Sequence, residues 1–165
     1  MINMQKNEPM ICEATYYLNG FNDHIISCGE VFVKGFVNAK LIIGRDVIIA
    51  GKGRVSFLAG ENCLLIGTGN ILIVENAYCI NLISVGGKGH VWINEVNSRK
   101  SYLAKTHVNI LNTEELWLSK LSNVKVLSKS SKIVFNSPNT YIEKILPARL
   151  DIVYTYNPYR MENNN

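Results

Sequence analysis

From Cys28 to Ile83 the hydrophobic positions recur with a period of eight: CGEVFVKG, FVNAKLII, GRDVIIAG, KGRVSFLA, GENCLLIG, TGNILIVE, NAYCINLI. The fourth column is Val31, Ala39, Val47, Val55, Cys63, Ile71 and Cys79. The sixth is Val33, Leu41, Ile49, Phe57, Leu65 and Ile73, breaking at Asn81. The third is polar through Glu30, Asn38, Asp46, Arg54, Asn62 and Asn70, and glycine collects at the row junctions. The period returns in THVNILNT, EELWLSKL, SNVKVLSK and SSKIVFNS, after a polar stretch around 94–106 that fits no row.

Residues two apart on a strand share a face, so the fourth and sixth columns point the same way, into a core. Each row holds about five strand residues and about three turn residues. The row junctions lack the Asn-Gly and Asp-Gly pairs of tight hairpins. The inward phase also stays constant from row to row, as in solenoid rungs. The pattern therefore predicts an all-β, single-domain parallel β-solenoid, with an antiparallel β-meander or sandwich as the alternative. Charge selects the coil length: a three-sided coil of three rows stacks Glu30 on Arg54 and Asn38 on Asn62, whereas a flattened coil of two rows stacks Glu30 on Asp46. The first arrangement is the expectation, giving four to five short coils over 28–135 with an irregular insertion near 94–106.

Open terminal rungs expose strand edges, so caps are expected at both ends. Residues 1–27 form the N-terminal cap, with Tyr16, Tyr17, Leu18 and Phe21 as the covering group. Residues 136–165 form the C-terminal cap and a polar tail. With the fourth and sixth columns inward, the fifth and seventh face outward and are also apolar, more than a solvated monomer leaves exposed. Ile48, Leu72 and Val74 are the candidate oligomer interface.

Composition narrows the class of partner. Residues 1–96 carry seven Lys/Arg against eight Asp/Glu, and residues 97–165 ten against five. The basic second half permits a nucleic acid or other polyanion as partner. Trp92 and Trp117, a little over three rows apart and so close to one coil, face outward beside lysines. With Arg99, Lys100, Lys120, Lys125 and Lys129 they form the candidate partner-binding surface; the bland alternative is that a terminal segment covers both tryptophans. His90 near Glu95 lacks a nucleophile motif, and GKGR and GTGN lack the P-loop pattern, so no catalytic, cofactor or metal residues are assigned. Cys12, Cys28, Cys63 and Cys79 show no CxxC spacing and read as reduced thiols. No signal-peptide core or membrane span is legible, so a cytoplasmic location is expected.

In general form these rows resemble the right-handed parallel β-helix, which carries similar asparagine stacks and inward aliphatic ladders. The resemblance covers about two thirds of the chain. The chain is also similar in character to the bactofilins, polymer-forming cytoplasmic β-solenoids that assemble end to end, although those use a shorter rung.

The functional expectation is a non-enzymatic protein, without cofactor or membrane partner, that acts through protein–protein contact and self-assembles. One alternative is an inhibitor encoded by a virus or mobile element that docks on a host macromolecule, either protein or nucleoprotein. Another is a carbohydrate-binding or carbohydrate-active β-helix.

Overall fold

The computed structural model describes residues 15–18 and 24–159. Its chain order is β1 (Thr15–Leu18), β2 (His24–Ile26), β3 (Glu30–Ile43), β4 (Asp46–Gly86), β5 (His90–Ala104), β6 (Thr106–Leu118), β7 (Ser122–Lys129), β8 (Lys132–Phe135), β9 (Thr140–Ile145) and β10 (Asp151–Tyr154). Every pairing between these strands is parallel. The chain is a parallel β-solenoid of about eight turns, roughly 38 Å along its axis at ~4.8 Å per turn. The 41 residues of β4 are a continuous wind of the coil, not one straight strand. No helix among the described residues is long and apolar enough to cross a membrane.

The coil is shorter than expected. Glu30 pairs with Asp46, Val31 with Val47 and Asn38 with Arg54, so each coil takes up two rows of the repeat. The three-row, three-sided coil, with its Glu30–Arg54 and Asn38–Asn62 contacts, is therefore excluded. Arg54 instead bonds Glu75 at 2.7 Å. The like charges of Glu30 and Asp46 are tolerated because both lie at the surface, where water screens such a pair. Asp46 is also held by Asn62 Nδ2 at 2.8 Å and Arg45 Nε at 3.2 Å, contacts that lower its carboxyl below the usual range. The Asn62 carboxamide accepts in turn from Asn81 Nδ2 at 2.9 Å, so a polar ladder runs on through three turns.

The inward phase holds at Val31, Val33, Val47, Ile49, Cys63 and Leu65, all buried. It fails at two kinds of place. Within each coil the chain turns a corner, so Ile42 and Leu58 are inward where Leu41 and Phe57 were expected. Beyond Gly67 the coil outgrows two rows, pairing Ile71 with His90 and Val74 with Ile93. A slip of one residue exchanges the faces of a strand. Leu72 and Val74, expected at an oligomer interface, are consequently fully buried core residues, while Ile71 is exposed. Ile48 alone of that trio faces outward, half-buried.

Residues 94–106, expected as an irregular insertion, form a regular rung. Asn97 pairs with Tyr78 and Asn112, and Tyr102 with Ile83 and Trp117. Its polarity is absorbed by hydroxyl ladders inside the coil. Ser84 and Thr106 share a hydrogen bond of 2.8 Å, Ser98 and Ser101 one of 2.6 Å, and Ser98 donates to Thr113 at 2.8 Å. Inward serine and threonine thus stack as well as aliphatics do, provided each hydroxyl finds a partner.

The ends differ from the expected caps in the same way. β9 pairs with β7 and β10 with β8, both parallel, so the segment after 136 adds a rung instead of folding across the end. Of the N-terminal cap, β1 and β2 are likewise strands paired to β3; Phe21 and the rest of 1–23 lie outside the described residues.

The cysteines divide. Cys28 is disulfide-bonded, against the expectation of four thiols. A disulfide needs only two Cα atoms within about 7 Å, which chain spacing does not reveal. Disulfides persist best in oxidising compartments, so the cysteines no longer argue for a cytoplasmic location. Cys63 and Cys79 are free and buried. A hydrogen bond with Cys63, reinforced by burial, pushes the Cys79 thiol far above the ordinary cysteine range. Both thiols are shut away from solvent, so neither should react with Ellman's reagent in the folded protein, and both should react promptly in denaturant. Rapid labelling of a Cys12→Ser/Cys28→Ser variant under native conditions would contradict that burial.

Candidate functional site

Two outward surfaces of the second half collect the residues expected to contact a partner. The first lies on the side of the coil formed by the leading halves of β5 and β6 with β7 and β9. Trp92 pairs with His107, His107 with Asn123 and Asn123 with Tyr141, so these side chains form one outward column over four rungs. Their inward neighbours Val91, Ile93, Val108 and Val124 are buried and fix the column's direction. Trp92 is 49% exposed and Tyr141 61%. The His107 ring lies against Trp92 with centroids 5.0 Å apart. It is clamped by Asn109 at 2.8 Å and, on its other nitrogen, by Asn123. Asn109 Nδ2 donates to Asn94 Oδ1 at 3.1 Å, making a second column of carboxamides beside the aromatic one. Leu121, at φ 58°, and the Pro138–Asn139 turn rise at one edge and give a groove of about 450 Å³.

The second surface lies where β4, β5, β6 and β8 stack Ile83, Tyr102, Trp117 and Val134 in register. Here Trp117 is occupied internally. Its indole N–H donates to Glu115 Oε1 at 2.5 Å, and Lys100 Nζ sits 5.5 Å above its ring while reaching Glu115 at 3.8 Å. A groove of about 500 Å³ runs alongside, lined by Asn81, Ile83, Lys100, Tyr102, Trp117 and Asn136.

The expected tryptophan pair therefore does not exist. In the register between β5 and β6, Trp92 stacks on His107 and Trp117 on Tyr102, on different sides of the coil. The basic strip is dispersed as well. Arg99 pairs with Glu114 at 3.4 Å and Lys100 with Glu115, each across one rung. Lys129 borders a separate polar groove with Asn97 and Asn112. Lys120 and Lys125 are exposed singly. Among the described residues, no terminal segment covers Trp92. The contributions of His107, Asn109, Asn123 and Tyr141 escape a sequence reading, because their alignment depends on three successive registers of unequal length.

A third feature is the terminal rung. Ile145, Leu146, Ile152, Val153 and Tyr154 are all exposed there. Among the described residues, β9 pairs only with β7 and β10 only with β8, leaving the outer edges of both strands open. No group of three or more potential metal-ligating side chains gathers among the described residues.

No family model, no curated protein and no solved structure matches the chain.

Proposed function

We propose that the protein is a non-enzymatic solenoid that works through protein–protein contact and joins to a second copy of itself at its C-terminal end. The observation that carries this reading is the open rung of β9 and β10. An unpaired, apolar strand edge is a template for another strand, and proteins that leave one bare aggregate or assemble. The β9 sequence TYIEKI suits a twofold, antiparallel partner. Centring the twofold axis between Glu143 and Lys144 places each opposite the other residue of the second copy. The same register sets Ile142 against Ile145. Ile142 packs on the core of its own chain, and Ile145 continues the buried position of Leu127. The joint therefore extends the core and matches charge at once, and a twofold contact closes without propagating into a fibre.

Sedimentation velocity tests it. The native chain is expected to run as a dimer at micromolar concentration, Glu143→Lys as a monomer, and the exchange Glu143→Lys/Lys144→Glu as a dimer again. A native chain that stays monomeric at that concentration overturns the proposal.

A further inference from the structure

The column of Trp92, His107 and Tyr141 has a different chemistry from the terminal edge. We infer that it is a binding groove for an uncharged glycan chain.

Trp92 and Tyr141 are three rungs apart, about 14 Å at the spacing of stacked strands. Between them lie His107, against the Trp92 ring, and the carboxamide of Asn123. Asn94 and Asn109 run parallel at the side, coupled at 3.1 Å. A pyranose has an apolar face of C–H bonds and a rim of hydroxyls, each both donor and acceptor. The C–H face suits the electron-rich face of an aromatic ring. The hydroxyl rim suits side-chain amides, which also offer a donor and an acceptor side by side. The rings of Trp92, His107 and Tyr141, with the amides of Asn94, Asn109 and Asn123 beside them on a rigid scaffold, offer both features along a line.

The groove's charge excludes the nearest competitors. No carboxylate lines it, so it lacks the pair of acids that would hydrolyse a glycosidic bond. The Lys105 ammonium, the one Lys or Arg in the lining, donates to the Gly87 carbonyl at 3.1 Å. A nucleic acid or acidic polysaccharide would need a succession of cations following its backbone. A protein anchor would need a deep apolar socket, whereas this groove is open and edged by the Pro138–Asn139 turn and Thr140. Binding without turnover is what remains.

The test is calorimetric titration of the full chain with the hexasaccharides of cellulose, chitin, mannan and amylose, beside an oligogalacturonate and an oligothymidylate. At least one neutral hexasaccharide is expected to bind. Trp92→Ala should weaken it roughly tenfold, the upper range for one stacked aromatic, and Tyr141→Ala severalfold. The circular dichroism spectrum should not change, because both rings are exposed. In a Trp117→Phe background, the same sugar should shift the fluorescence of Trp92, then the chain's sole tryptophan. Trp92 is three rungs from the open edge, so its removal should leave sedimentation unchanged, and this inference and the dimer fail separately. Binding of none of the neutral sugars overturns it. So does binding that Trp92→Ala leaves intact, or binding confined to the oligogalacturonate or oligothymidylate.

Discussion

Leu65→Asp is expected to abolish soluble folding, and Ile49→Asp to do the same. Both side chains are fully buried in a core whose neighbours are aliphatic. Each substitution removes a large side chain, which costs about 2–5 kcal/mol in a packed interior. It also brings in a carboxyl with no partner, whose burial penalty is of comparable size even if the group stays protonated. Together these rival the entire stability of a typical domain, about 5–15 kcal/mol. Ile48→Asp is the control. It changes the adjacent, outward side chain and should shift the melting temperature only modestly. A soluble Leu65→Asp protein melting with the native chain would show that the inward phase is wrongly assigned.

The second large effect is expected at Gly51. Gly35 lies one coil away in direct register, and a Cβ on Gly51 would overlap the Gly35 carbonyl oxygen. The obstacle is backbone, held in a ladder on both sides, so it cannot give way as a side-chain tip can. Gly51→Val should therefore cost more than the ~1–3 kcal/mol usual for overpacking a core. Gly69→Ala supplies the contrast. Its φ of +83° strains an L-residue, but a Cβ there meets nothing within 4 Å, so only the ~1–3 kcal/mol of backbone strain applies. Chemical denaturation should rank Gly51→Val well below Gly51→Ala, and both below Gly69→Ala. A reversed order would mean that the coils do not approach at Gly51.

These two positions also show what is legible in the chain. The alternation at Val47/Ile49 and Cys63/Leu65 gives the inward face directly, because sheet geometry repeats every two residues. Surface charge is a poor guide to coil length, because exposed pairs contribute least to stability. The stronger signal is glycine: Gly35, Gly51 and Gly67 recur every second row, as do Gly44 and Gly60. Such spacing is what close backbone approach between successive coils demands. Past Gly67 the extra residues that change the register leave no periodic trace, so the row pattern puts Leu72 and Val74 on the wrong face. The groove is hidden for the same reason. Trp92 and Tyr141 stand far apart in the chain, and only the sum of three unequal registers brings them into one column.

The short coil has a kinetic meaning. In most β proteins strands from distant parts of the chain must find each other, and folding slows as that distance grows. Here a residue pairs with one only two rows of the repeat away, in a chain more than ten times that long. The mean separation of contacts is thus about a tenth of the length, the range of helical bundles. Each coil closes a loop of much the same size as the last, so the entropy of closure does not accumulate as the rod grows. The chain winds onto itself turn by turn, and an all-strand protein acquires the search problem of a helical one.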